Sequence, residues 1–268
     1  MRFFKEFYLG LSSYWFALLF VKKYKLWWMV LLPAILMLGI YHFGFLLQHH
    51  KIVHTIQTMN DINWYLILLF VEMGISLMFM NFSKYLMVGL LSPLLTYLSA
   101  KTEKLLTGKK YPFTLKQFKN DIVRAVKLVL RNLFWYYLFF AIIYLISSIF
   151  WENPKNSPIM FIFFILAAYY YGFSFLDYIN ERKKLSVVES VFFVRKHFGL
   201  TLGIGVIYSL MIFVPVNLSY LFLNTEGSTP FLQQLLYFTL HLFLWLLASF
   251  SPILACISAS ISMQKMNN

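Results

Sequence analysis

Apolar residues crowd into six long runs, at about residues 26–47, 64–98, 128–151, 158–178, 199–223 and 231–259. A helix rising 1.5 Å per residue needs about 20 residues to cross roughly 30 Å of hydrocarbon. The first, third and fourth runs therefore read as simple membrane spans. The second and sixth are overlong, very roughly 52 and 43 Å if straight and continuous, so they are expected to tilt, break or emerge along the interface. Four prolines, Pro33, Pro93, Pro215 and Pro252, fall inside apolar runs. Each removes a backbone hydrogen bond and frees a carbonyl that must find another donor.

Outside these runs the period changes. Phe3, Phe4, Phe7, Leu11, Trp15 and Leu18 recur at helical spacing, which predicts an amphipathic helix over 1–25 lying on the membrane surface. The segment ends in VKKYK without a small-residue cleavage site, so it is expected to be retained. Thr-Gly and Tyr-Pro pairs mark a turn after residue 106, and Leu115, Phe118, Ile122, Val126 and Val129 predict a second surface helix from Thr114. The expected fold is all-α: one polytopic membrane domain over 1–268 with about six hydrophobic segments, partial-depth hairpins among them, plus interfacial helices.

Composition strengthens this reading. Charged residues are 12% of the chain and hydrophobic residues 60%, against roughly 25% charged in soluble domains. The net charge of +13 does not point to nucleic acid, because the basic residues are spread between apolar runs rather than gathered on one soluble face. With the N-terminus inside, twenty Lys and Arg fall on the inner side and only Lys51 and Lys155 on the outer. That split predicts both termini, and the connections 101–127 and 179–198, on the cytoplasmic side of the membrane. The expected partners there are anionic lipid headgroups. A homo-oligomer is left open.

Chemistry-bearing residues are few. Glu72 sits inside WYLILLFVEMGISLMFM, where an unpaired carboxylate costs several kcal/mol. It is either a relay or a neutral carboxyl bonded to a neighbouring helix. LLSPLLTYLSA at 90–100 and SFSPILACISA at 249–259 form a local repeat at the ends of the two overlong runs. Ser-Pro favours a helix start, so Ser92 and Ser251 are candidate anion ligands at two half-helix N-termini; simple kinking is the alternative. His49, His50 and His54 lack a nearby Cys or Glu and read as loop residues. Cys256 is the lone cysteine, and no catalytic triad, phosphate loop, dinucleotide motif or metal set is present in the sequence. The expected protein is not an enzyme and takes no cofactor.

The stretch FLDYINERKKLSVVESVFFVRKHFGL, 175–200, is the most highly charged part of the second half, with three acidic and five basic residues. Asp177 and Glu181 share a helical face, and Arg182, Lys183 and Lys184 follow at the inner boundary. Asp177 is expected to pair with Arg182, Arg124 or Arg131. Ser186 and Glu189 have capping-box spacing, predicting a surface helix over 187–197 that Gly199 closes. Leu202-Gly-Ile-Gly205 reads as a helix-packing pattern.

The pattern F-x-D-Y-x-x-E-R-x-x-L-S-x-x-E-S-x-x-F-x-R-K-H-x-G-x-x-x-G-x-G from Phe175 to Gly205, with LLSPLLTYLSAKTEKLLTG, DIVRAVKLVLRNL and the Val-Pro-Val-Asn segment at Pro215, resembles the CysZ and etoposide-induced protein family. The resemblance implies transport of sulfate or a related small oxyanion. It departs at one motif. The family's sulfate permeases carry Gly-Leu-Arg before the first span, where this chain has Lys25-Leu26-Trp27. Lys22, Lys23 and Lys25 remain as candidate anion ligands, although lysine lacks the planar fork of arginine. Asp177, Arg182, Glu189 and Arg195 are expected to serve architecture at the bend.

Overall fold

A computed structural model describes residues 2–49, 89–109, 115–216, 218–221 and 230–267. Among these the regular structure is helical: α1 (Arg2–Lys23), α2 (Leu31–His49), α3 (Ser92–Thr107), α4 (Leu115–Phe150), α5 (Phe161–Arg182), α6 (Val187–Lys196), α7 (Phe198–Ile212), α8 (Leu218–Leu221) and α9 (Phe231–Asn267), with short 3-10 turns between some of them. Glu72, His50 and His54 lie outside the described residues.

Three helical stretches, Val123–Phe150, Pro158–Arg182 and Phe231–Met266, are long and apolar enough to cross a membrane. Two bent pairs raise the number to five if each counts as one span: α1 with the segment up to Ile40, bent by 114°, and α6 with α7, bent by 91°. The second apolar run is mostly outside the described residues. Alone, α7 has 15 residues, about 22 Å of helix, which is short of a full crossing.

Three local expectations are corrected. The helix expected from Thr114 along the surface is continuous with the third span, because residues 115–150 contain neither Gly nor Pro to interrupt it. Gly199 does not close α6: His197 caps that helix, and Gly199 lies in the first turn of α7. Ser251-Pro252 does not start a half-helix, since α9 runs through it unbroken. The proline frees the carbonyl of Ala248, and the Ser251 hydroxyl donates to that same carbonyl at 2.7 Å, so the serine mends the gap that its neighbour opens. Pro215 lies where helix stops, in the segment after α7, and Pro93 in the opening turn of α3. Pro33 sits in the opening turn of α2, where the missing amide is no loss.

The core is built on close approach of backbones at α7. A Cβ on Gly205 would meet the Ala168 carbonyl oxygen at 1.6 Å, and one on Gly172 the Thr201 oxygen at 1.9 Å, so glycine is what lets the backbones of α5 and α7 come this close. On its other side α7 takes α1: Gly199 lies against the Phe3 carbonyl and Gly203 against that of Phe7, a step of four residues in both helices. They therefore run side by side in one direction. Tyr14 of α1 donates to the Ile204 carbonyl at 2.7 Å. The buried face of α1 carries Glu6, Gly10, Ser13, Tyr14, Ala17, Phe20 and Val21. Its aromatic side faces out, with Phe4 73% and Trp15 65% exposed, the arrangement of a helix offering its apolar stripe to lipid.

The predicted repeat comes together in space. Cys256 donates to the Leu95 carbonyl at 3.3 Å and Ser99 meets Ser260 at 3.5 Å. Both pairs are separated by 161 residues, so α3 and α9 pack in parallel in constant register.

Candidate functional site

The charge cluster of 175–200 folds into a closed network. Arg124 of α4 grips Asp177 of α5 with a planar fork, Nε to Oδ2 at 3.0 Å and Nη2 to Oδ1 at 2.7 Å. Its remaining Nη1 donates to the Leu185 carbonyl, and Ser190 of α6 donates to Asp177 Oδ1. Asn180 in turn donates to Ser190 at 2.9 Å. Asp177 thus draws partners from α4 and α6 while nearly excluded from solvent, its side chain 4% exposed. Of the three arginines expected as its partner, Arg124 is the one. Both charges of the Arg124–Asp177 pair are answered within the protein, as a joint between three helices requires.

Ser186 accepts from the Glu189 amide and Glu189 accepts from the Ser186 amide at 2.7 Å, completing the capping box. The amide that Glu189 accepts holds its carboxyl below the ordinary carboxylate range. Replacing Ser186 by alanine is expected to remove about 1 kcal/mol of cap energy. Hydrogen exchange would show this as faster amide exchange confined to the first turn of α6; unchanged exchange there would contradict it.

Arg182 turns the other way and pairs with Glu103 of α3, Nη2 to Oε2 at 3.1 Å, its own side chain 2% exposed. This ion pair adjoins a cleft of about 150 Å³ whose polar wall is Glu103, Lys109, Lys183, Ser260 and Gln264. Burial lowers the affinity of Lys183 for its proton, and the Glu103 charge opposes that. The cleft opens at the end where α3 and α9 finish. Above it along α3, Ser92, Thr96 and Ser99 share one face at i, i+4 and i+7. Ser92 is 1% exposed and Thr96 6%, yet neither hydroxyl has a hydrogen-bond partner among the described residues. Buried hydroxyls are normally satisfied, so two open donors on the repeat face leave capacity for a bound group.

The other candidates are dispersed. Ser251 is used up on Ala248. Lys22, Lys23 and Lys25 are exposed at the bend between α1 and α2, and Lys23 lies over the Tyr24 ring. Lys25 takes a left-handed conformation, φ 53°, which costs a side-chain-bearing residue about 1 kcal/mol. It occupies the position matched in sequence to the glycine of Gly-Leu-Arg. Trp27, at the arginine position, stacks on Phe250. Arg195 stands apart from the Asp177 network, in a separate cleft with Arg131. Sequence reading missed Thr96, Lys183 and Lys109 as companions of Ser92; the hydroxyls spaced by four in LLSPLLTYLSA were the available signal.

Among the described residues no group of His, Cys, Asp and Glu is placed to hold a metal ion. Comparison with curated proteins found no match. The chain does match a family model described as sulfate transporter CysZ/etoposide-induced protein 2.4, over residues 13–223. That match takes in the repeat face of α3, the Asp177 network and the glycine contacts of α7, and the chain belongs to this transporter-like family of membrane proteins.

Proposed function

We propose that this protein passes a small oxyanion, sulfate foremost, across the bacterial inner membrane, with both termini in the cytoplasm. The carrying observation is the pair of buried, unpartnered hydroxyls on Ser92 and Thr96, on the helix whose far end borders the Lys109 and Lys183 cleft. A desolvated tetrahedral anion needs donors along its way and positive charge where it leaves. The hydroxyls supply the first and the lysines the second. The charge split between connections supports the orientation, with the lysine cleft on the cytoplasmic side.

Radiolabelled sulfate uptake into proteoliposomes is expected to depend on the protein. Replacing Thr96 by valine keeps its volume and removes its hydroxyl; this should slow uptake about tenfold, the effect of about 1.4 kcal/mol, without changing folding yield. Absence of protein-dependent uptake of both sulfate and sulfite would sink the proposal. A second reading, a non-transporting membrane scaffold, draws on the self-contained Asp177 network and on Trp27 in place of the motif arginine. It expects neutralising Asp177 to alter folding yield and no flux, and a well-folded Asp177 variant with defective flux would count against it.

A further inference from the structure

The Arg131 and Arg195 cleft plays no part in the route above. It measures about 270 Å³ and lies between α4, α5 and the α6–α7 junction, seven residues along α4 from Arg124. Seven helical residues are about 10 Å, so Arg131 sits deeper than the Asp177 joint. Neither Arg131 nor Arg195 forms an ion pair with a carboxylate among the described residues, and the nearby Asp177 is already held by Arg124. The Arg131 guanidinium lies 5.5 Å from the centre of the Phe173 ring. Its Nη1 is buried without a hydrogen-bond partner. Arg195 reaches in from α6 and lines the cleft together with Tyr169. Two guanidinium groups thus converge on one small cavity with a donor left open, which is costly unless an anion completes it.

The rim says which anion. Trp135, Phe139 and Phe198 line the cleft and are 40%, 38% and 41% exposed, the first two on the flank of a helix apolar enough to span the membrane. A free inorganic ion gains nothing from an aromatic rim. An amphiphile gains from both parts, its phosphate on the arginine forks and its glycerol and upper acyl carbons against the rings. We propose that this cleft is a binding site for the phosphate of an anionic glycerophospholipid, entered sideways from the bilayer.

Native mass spectrometry of the full chain, with phosphatidylglycerol or phosphatidylcholine of matched acyl chains added, tests this. The wild type should retain one phosphatidylglycerol about tenfold more tightly than phosphatidylcholine. Arg195→Gln, at an exposed position that tolerates replacement, should abolish most of that preference, and Arg131→Gln/Arg195→Gln all of it, while Trp135→Ala weakens both lipids. Equal retention of the two lipids by the wild type would overturn the assignment, as would an Arg195→Gln protein that still prefers phosphatidylglycerol. Displacement of bound phosphatidylglycerol by millimolar sulfate would overturn it in favour of a free-oxyanion site. The outcome is independent of sulfate uptake, because no residue of the Ser92–Lys183 route is altered.

Discussion

Substituting leucine for Gly205 is expected to leave almost no protein that survives detergent extraction as a single species. The obstacle is the Ala168 carbonyl oxygen, 1.6 Å from where the first side-chain carbon would sit. Overpacking a core against mobile side chains costs about 1–3 kcal/mol. Here no rotamer change gives relief, since the neighbour is backbone and α5 must move bodily away from α7. The loss should reach about 4 kcal/mol or more, the exceptional end for one substitution. Gly172→Leu should act alike, because its Cβ would meet the Thr201 oxygen at 1.9 Å. Gly39 is the control: nothing lies within 4 Å of a Cβ there, and Gly39→Ala should leave the thermal midpoint unchanged or raise it slightly. A Gly205→Leu protein with a wild-type elution profile and midpoint would show that α5 and α7 are not packed in this way.

Removing Asp177 is the second large effect. Asp177→Ala removes the closest carboxylate from Arg124, whose side chain is 15% exposed and is left with Glu181 at 3.9 Å, and takes the acceptor from Ser190. Breaking one side of a buried pair costs about 3–5 kcal/mol, whereas replacing both charges by apolar groups is often neutral. The double change Arg124→Met/Asp177→Leu is therefore expected to recover more than half of what Asp177→Ala loses. Thermal unfolding of the three purified proteins measures the coupling. If the double variant is no better than the single, the loss comes from Ser190 and Leu185 rather than from the stranded charge.

Period and charge made much of this molecule legible in the sequence. The all-α class, the N-terminal helix, the capping box at Ser186 and the tie between Asp177 and a neighbouring arginine follow from spacing that local physics enforces. What the sequence hid depends on which residues meet across long separations. Gly199 looked like a helix stop because glycine suits that position, yet it faces the Phe3 carbonyl nearly 200 residues away. Ser251-Pro252 looked like a helix start because Ser-Pro favours one, and in α9 the same pair bridges a gap instead. Ser92-Pro93, with equal local chemistry, does stand at the opening turn of α3, its hydroxyl left without a partner. Identical dipeptides diverge because tertiary packing, absent from any local window, decides whether the helix continues.

The inward face of α1 sets an order of events during synthesis. Glu6 accepts from Arg2 of its own helix at 2.8 Å, but its other partner is His197 at 2.9 Å, and Tyr14 needs Ile204. Phe16 lies 3.3 Å beneath the Lys265 ammonium. A ribosome adds only some 5–20 residues each second, so α1 waits at the bilayer for roughly ten seconds or longer before α7 and α9 exist to receive it. Through that interval its aromatic stripe is its only satisfied surface, and it must rest on lipid with its polar seam turned to water. α1 is made well before α7 and α9, which makes completion of α9 the step after which all of its partners are present.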